Sequence, residues 1–368
     1  MGWCSTDWRR AASVVLCAAA ALTVAVAEAA PLRVQTLTQK TETGRQRFPM
    51  VSSDDAVTAA RINHRLFIDT FERMAPARAA DGLREVDAQS WRALPELGFR
   101  VVRNDARLLS IELMGESCGA YCESFTVSHA FDAATGRHLE IDDLFTRDGR
   151  DAIARTVQSA NMDAVRKQIA TLKKTRARLS KTTPGATSDV DDALLLYESC
   201  LTERTAPSWR GIAGTGQLSV EAQAVVFSQG RCSNHAMRAL DDLGDFATRL
   251  PMAQLRPWLT PYGAALLLGE GAAPAPVSPS GQVLRGTLGD RLPVTLWLRS
   301  VYEDGSVGGV YFYDRFRRPI SLLGQYRGGV LELKESESGG QWRLKAEGAA
   351  LRGTWQDGAK TLPATLGP

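Results

Sequence analysis

The sequence predicts an α+β protein: an N-terminal antiparallel sheet packed by helices, then a C-terminal all-β antiparallel meander or small barrel. Two observations carry this prediction. Ile62, Leu66, Phe67, Phe71 and Met74, and later Ile153, Val157, Val165, Ile169 and Leu172, recur at helical spacing, while the segments between them alternate with period two. Past Gly281 the chain becomes a run of alternating segments roughly ten residues apart, separated by turns such as Glu303-Asp304-Gly305 and Ser338-Gly339-Gly340.

The elements follow in chain order. Arg9 and Arg10 precede an uncharged run from Ala11 to Val26, and Ala27-Glu28-Ala29 gives a small-x-small site before Ala30-Pro31. That is the layout of an export signal spanning residues 1–29, cut near Ala29, so a periplasmic or secreted location is expected. The apolar run is shorter than the roughly 20 residues of a spanning helix, and no transmembrane helix is expected in the mature chain. Leu16 stands before Cys17 where a lipoprotein signal needs a small residue, so Cys17 is expected to leave with the signal.

A leading strand is expected within residues 31–50, ending at Phe48-Pro49-Met50-Val51. Ser52-Ser53-Asp54-Asp55 then supplies caps for a helix over 55–76. Strands follow at 98–104, 107–115 and 123–132, with Phe125, Val127, His129 and Phe131 on one face. Ala133-Ala134-Thr135-Gly136 forms a tight connection to a strand at His138-Leu139-Glu140-Ile141. Asp148 or Asp151 caps a helix reaching residue 179. A strand over 220–227 and helices over 236–248 and 252–259 complete this part, the last opened by Pro251. Residues 269–281 read as a Pro/Gly/Ala linker, which divides a 30–268 module from a 282–368 β domain. Trp297, Tyr311, Tyr313, Trp342 and Trp355 are expected to fill or girdle the barrel.

Loss of the signal leaves about 340 residues, room for two domains of ~150. A net charge of +3 is too balanced for a nucleic-acid or general membrane binder. Cys118, Cys122, Cys200 and Cys232 remain after cleavage. In an exported chain an even number reads as disulfides, and chain proximity favours Cys118–Cys122 and Cys200–Cys232.

Three patterns could carry chemistry. Gly115-Glu-Ser117-Cys-Gly119 fits the G-x-S-x-G elbow of serine hydrolases, making Ser117 a candidate nucleophile, but an elbow needs a helix after it and strand alternation follows here. Cys232-Ser-Asn-His235 and Cys118/Cys122 offer sulfur and nitrogen, yet the four histidines are scattered and an oxidising compartment favours disulfides, so no metal and no cofactor is expected. Residues 147–181 hold ten Lys or Arg against three Asp, a local +7. Lys173, Lys174 and Arg176 are therefore candidate contacts to an anionic surface, set against the plainer reading of a solvated helix face neutralised by Asp189, Asp191 and Asp192.

Residues 47–262 resemble the domain-of-unknown-function family shared by the lysozyme-sensing extracellular region of RsiV-type anti-sigma factors and the N-terminal region of PdaC-type peptidoglycan deacetylases. The similarity lies in Phe48-Pro49-Met50-Val51 before Ile62-Asn63, in Leu109-Ser110-Ile111-Glu112-Leu113, in Phe131-Asp132 and Thr135-Gly136 leading to Leu144-Phe145, and in Leu250-Pro251-Met252 with Leu255 and Leu259. The cysteines and the C-terminal meander fall outside it, as do the effector parts of those relatives. The resemblance implies a module used for binding. The expected function is a non-catalytic cell-envelope binding protein, its ligand a protein, a cell-wall fragment or another envelope component. An exported hydrolase using Ser117 and a purely structural envelope protein are the alternatives.

Overall fold

The computed structural model describes residues 31–368 apart from 43, 85, 184, 204–217, 303 and 349. The export signal and its cleavage site lie outside the described residues. The chain is mixed α and β: three small antiparallel sheets with helices, then a closed eight-stranded antiparallel barrel.

The first sheet is a hairpin of β1 (Arg33–Lys40) and β2 (Arg45–Ser52). The single leading strand read from the sequence is thus two, because the chain reverses at Thr41–Gly44, where Thr41 N–H donates to Gly44 O. Helix α1 (Ala56–Phe71) follows, its Asp55 cap accepting from the Val57 and Thr58 amides. It stops at Glu72, short of the expected residue 76, because Glu72 turns left-handed at φ 53°. The short helix α2 (Ala88–Ala93) leads into the second sheet, β3 (Glu96–Asn104), β4 (Leu108–Cys118) and β5 (Cys122–Asp132). Phe48, Phe67, Phe71 and Trp91 form an aromatic cluster that packs α1 between the hairpin and one face of this sheet.

After β5 the expected return strand shrinks to one bridge, Phe131 to His138, and Ile141–Leu144 becomes the one-turn helix α3. Glu140 and Asp143 form its capping box, and a helix N-terminus so well served outcompetes a ladder. Helix α4 (Arg147–Thr182) is capped by Thr146 rather than by Asp148 or Asp151. Its first half packs on the third sheet through Ile153 and Val157. Its second half packs on α5 (Ser188–Glu203) through Val165, Ile169, Leu194 and Tyr197.

The expected strand over 220–227 is itself a hairpin, β6 (Leu218–Val220) and β7 (Ala224–Gln229), because Glu221–Gln223 form the turn. β8 (Phe246–Pro251) completes that sheet where a helix over 236–248 was expected; only Arg238–Leu240 is helical there, as one 3-10 turn. The sheet pairing of Phe246 and Leu250 overrides the local helical spacing. The helix expected over 252–259 is α6 (Met252–Leu255) plus a 3-10 turn, and α7 (Pro261–Leu268) follows.

The barrel runs β9 (Val283–Leu288), β10 (Leu292–Leu298), β11 (Ser306–Tyr313), β12 (Ile320–Arg327), β13 (Val330–Glu335), β14 (Gln341–Glu347), β15 (Ala350–Asp357) and β16 (Lys360–Gly367). It closes where β16 pairs β9, Ala364 opposite Leu288. Leu296, Leu333, Leu344, Tyr311, Trp342 and Trp355 fill the interior. Tyr311 Oη and Trp355 Nε1 both donate to the buried Glu335 Oε1, at 2.6 and 2.7 Å. Trp297 faces outward and packs with Ile68 and Met74, so it does not fill the barrel. No helix among the described residues is long and apolar enough to cross a membrane.

Candidate functional site: a cleft where module and barrel meet

Helix α1 is the surface on which the barrel is seated. Ile68 and Met74 pack with Val283, Trp297, Val310 and Phe312 from the outside of β9–β11. Arg317 donates to the Met74 and Ala75 carbonyls at 3.1 and 2.8 Å. The segment read as a linker lies against both halves: Arg137 donates to Ser278 O and Gln282 donates to His138 O. Beside this junction opens a cleft of about 1060 Å³. Asp69, Glu140, Arg147 and Arg150 line it from one side, Trp297, Arg299 and Tyr302 from the other. Six carboxylates (Asp69, Glu72, Glu140, Asp142, Asp143, Asp151) and three guanidinium groups (Arg147, Arg150, Arg299) line it, and Asp69 and Asp143 are paired to Arg65 and Arg137, so its walls carry charges of both signs.

Behind the wall runs a continuous polar chain. Arg65 Nη1 lies 3.0 Å from Asp69 Oδ1, an i,i+4 pair on α1. Asp69 Oδ2 is 3.5 Å from His129 Nε2 on β5. His129 Nδ1 is 3.4 Å from His138 Nε2, and His138 Nδ1 is 3.1 Å from Glu140 Oε1. Ser300 of the barrel donates to Glu140 Oε2 at 2.7 Å. Arg65 also lies over the Trp297 ring, 4.8 Å from its centroid. The chain therefore joins α1, β5, the turn after β5 and the barrel, and both its carboxylates open on the cleft.

Burial works against charge on Asp69, but Arg65 and His129 outweigh it and hold the carboxyl below its usual range. At Glu140 burial is again opposed, by the hydrogen bond and charge of His138 and by Ser300, and the carboxyl falls to about 2. Burial, with the charge of Arg65, lowers each imidazole taken singly; Asp69 and Glu140 oppose this only in part, so both stay below the ordinary histidine value, His129 at about 3.

The run that carries the family resemblance builds this wall. Phe131 is core, and Asp132 accepts from Ala134 N–H and from Tyr262 Oη at 2.9 and 2.7 Å, tying the turn to α7. Gly136 takes φ 69°, and a Cβ there would come within 2.5 Å of Thr58 O, so only glycine lets the turn lie on α1. His138 and Glu140 follow, and Leu144 and Phe145 anchor the second core.

The residues singled out from the sequence lie elsewhere. Ser117 sits within β4 opposite Glu123 at the far tip of the β4–β5 hairpin, with a strand after it and not a helix. The disulfide Cys118–Cys122 closes that tip, and Cys200–Cys232 ties α5 to the loop before β8. Among the described residues Glu116, Cys118 and Cys122 form the sole grouping close enough to hold a metal, and the disulfide occupies both sulfurs. Lys173 pairs with Glu198 and Arg176 with Asp191, across the α4–α5 hairpin, while Lys174 is exposed. Sequence reasoning missed Arg65, Asp69, His138 and Glu140 as a site. The available signal was Arg65 and Asp69 at i,i+4 beside the apolar stripe, together with two histidines flanking one tight turn.

No protein-family model matches the chain, and no curated protein matches it. Solved structures similar to it include two DUF3298 proteins. A DUF3298 family member from Bacteroides fragilis has 12% identity and a TM-score of 0.43, covering 66% of this chain and 100% of that one. A DUF3298 family protein from Pseudomonas aeruginosa has 14% identity and a TM-score of 0.37, covering 63% and 96%. Likeness at that level assigns neither a family nor an activity to this chain.

Proposed function

We propose that the protein acts outside the cytoplasm as a non-catalytic binding protein of the cell envelope, and that the cleft between module and barrel receives its ligand. One observation carries the reading: the large cleft takes its walls from both halves of the chain and mixes carboxylate acceptors with the aromatic side chains of Trp297, Tyr302 and Tyr326. Such a lining suits a polyhydroxylated or amide-bearing ligand such as a cell-wall fragment. The export signal read at residues 1–29, the two disulfides and the resemblance to the RsiV/PdaC module support the location and the binding role.

The test is calorimetric titration of the purified protein with soluble peptidoglycan fragments. Tyr302 is 61% exposed, so Tyr302→Ala removes a contact surface without opening a core. Saturable binding that weakens at least tenfold in Tyr302→Ala is expected. Absence of saturable binding removes the cell-wall fragment as ligand. Turnover of an ester or cell-wall substrate that disappears in Ser117→Ala would replace the binding role with a hydrolase.

A further inference from the structure

Hydrogen counting in the buried chain behind the cleft leads to a charge that no single group reveals. Four ring nitrogens must satisfy two ionised carboxylates and each other. A neutral imidazole carries one N–H and one bare nitrogen. Suppose both rings are neutral and His138 Nδ1 donates to Glu140. His138 Nε2 is then bare, and His129 Nδ1 must donate to it. That leaves His129 Nε2 bare, buried and 3.5 Å from the Asp69 carboxylate, with no hydrogen-bond partner among the described residues. Reversing both rings moves the same clash to His138 and Glu140. Each of these sets leaves a lone pair facing a carboxylate, and the set with hydrogens on His129 Nε2 and His138 Nδ1 serves both carboxylates but turns two bare nitrogens on each other at 3.4 Å, so no neutral set gives every buried nitrogen a hydrogen-bond role.

Charge counting agrees. The groups facing the two rings are Arg65 and Asp69 on α1 and Glu140 beyond β5, with uncharged Ser300 from the barrel. With neutral rings one guanidinium faces two carboxylates, a buried net −1. One more hydrogen makes the group neutral and gives every ring nitrogen a role.

We propose that His129 and His138 share one proton as a singly charged imidazole–imidazolium pair. Its outer N–H groups serve Asp69 and Glu140, and the third hydrogen lies between His129 Nδ1 and His138 Nε2. Burial disfavours charge on an isolated ring, but here the unit being buried is the neutral foursome of Arg65, Asp69, Glu140 and the pair. Both carboxylates reach the cleft, so the pair is where a cationic group entering it would compete with a proton.

The chain has only four histidines, His64, His129, His138 and His235, so ring nitrogen spectra can be assigned with His129→Gln and His138→Gln. The measurement is long-range proton–nitrogen correlation on the folded, unliganded protein from pH 5 to 8. It does not depend on what the cleft binds, so its failure leaves the binding role untouched. Three hydrogens over the four ring nitrogens at pH 7 are expected. Two neutral rings, each with one bare nitrogen throughout, would overturn the pair. Asp69→Asn supplies an amide donor to His129 Nε2 and should discharge the pair to two hydrogens; Glu140→Gln should do so from the other end. Retention of the charge in both folded variants would also refute the proposal. Should neither variant fold, the unmodified protein still decides.

Discussion

The barrel and the part before it solve the same problem in different ways. In the barrel every strand pairs on both sides, so closure leaves no edge, and one interior holds all the inward side chains. The preceding part has three open sheets of two, three and three strands, and several separate cores. Its pieces are joined by side chains: Ser219 donates to Glu112 at 2.7 Å between the second and third sheets, and Tyr197 donates to Asp241 at 2.9 Å between α5 and the loop before β8. Both disulfides lie there and none in the barrel. Closed topology specifies itself, whereas open sheets need cross-links, and those cross-links are where a site can be built.

The strongest way to break this comparison is to remove the cross-links. The Cys200–Cys232 loop spans 32 residues of separation and the Cys118–Cys122 loop 4. Loop-closure entropy puts their contributions at about 3–4 and about 2 kcal/mol. Cys200→Ala/Cys232→Ala should therefore lower the melting temperature more than Cys118→Ala/Cys122→Ala. Full reduction should raise hydrogen exchange in α4, α5 and β8 while the barrel strands stay protected. Equal loss of protection in both parts would show that the barrel depends on its neighbour.

Acid probes the seam between them. His64 on α1 is 7% exposed and accepts the Ala75 N–H through Nδ1 at 3.1 Å, so it must be neutral when folded. Burial, then Arg285 and Arg317 of the barrel, lower it to about 4, with Asp314 opposing. The unfolded chain, at ~6.5, binds the proton first. Stability contributed by neutral His64 is thus complete above pH 6.5 and is lost as pH falls toward 4, on the order of 3 kcal/mol in all. Denaturant melts at pH 7 and pH 4.5 should show that loss, and His64→Gln should reduce it. An unchanged pH slope in His64→Gln would assign the loss to other groups.

The same contrast governs what was legible in the sequence. Strands β12–β16 read cleanly because each has one face inside and one toward solvent, so period two survives in the residues themselves, whereas β9–β11 also bury outward side chains against Ile68 and Met74. Trp297 was the exception, since an outward aromatic makes sense only once α1 covers it. In the open part, β1–β2 and β6–β7 each read as one strand because the turn residues, Thr41–Gly44 and Glu221–Gln223, lack a strong turn signature. β8 read as helix because its pairing with β7 is tertiary. The candidate site was hidden for the same reason: Arg65, His129 and Ser300 come from three distant segments, and no local pattern joins them. The disulfide pairs were legible because chain proximity alone favoured them.

The smallest effect sharpens the comparison on the α4–α5 hairpin, where the sequence suggested an anionic contact. Lys173 and Arg176 are not spare charges, for they bridge to Glu198 and Asp191 at 2.9 and 2.5 Å. Both pairs are about half exposed, so each is worth at most about 1 kcal/mol, less with salt. Reversing either cation sets like charges against each other and disturbs how α5 sits on α4. Lys174, one residue on, has no ion pair among the described residues and is exposed. Lys174→Glu should leave the melting temperature within about a degree, while Lys173→Glu and Arg176→Glu should each lower it slightly, and high salt should erase the difference. Lys174→Glu is consequently the clean test of surface contact. Weaker sedimentation with anionic vesicles in Lys174→Glu would establish a second binding surface apart from the cleft, and unchanged sedimentation in all three variants would leave these cations as the solvated side of a helix hairpin.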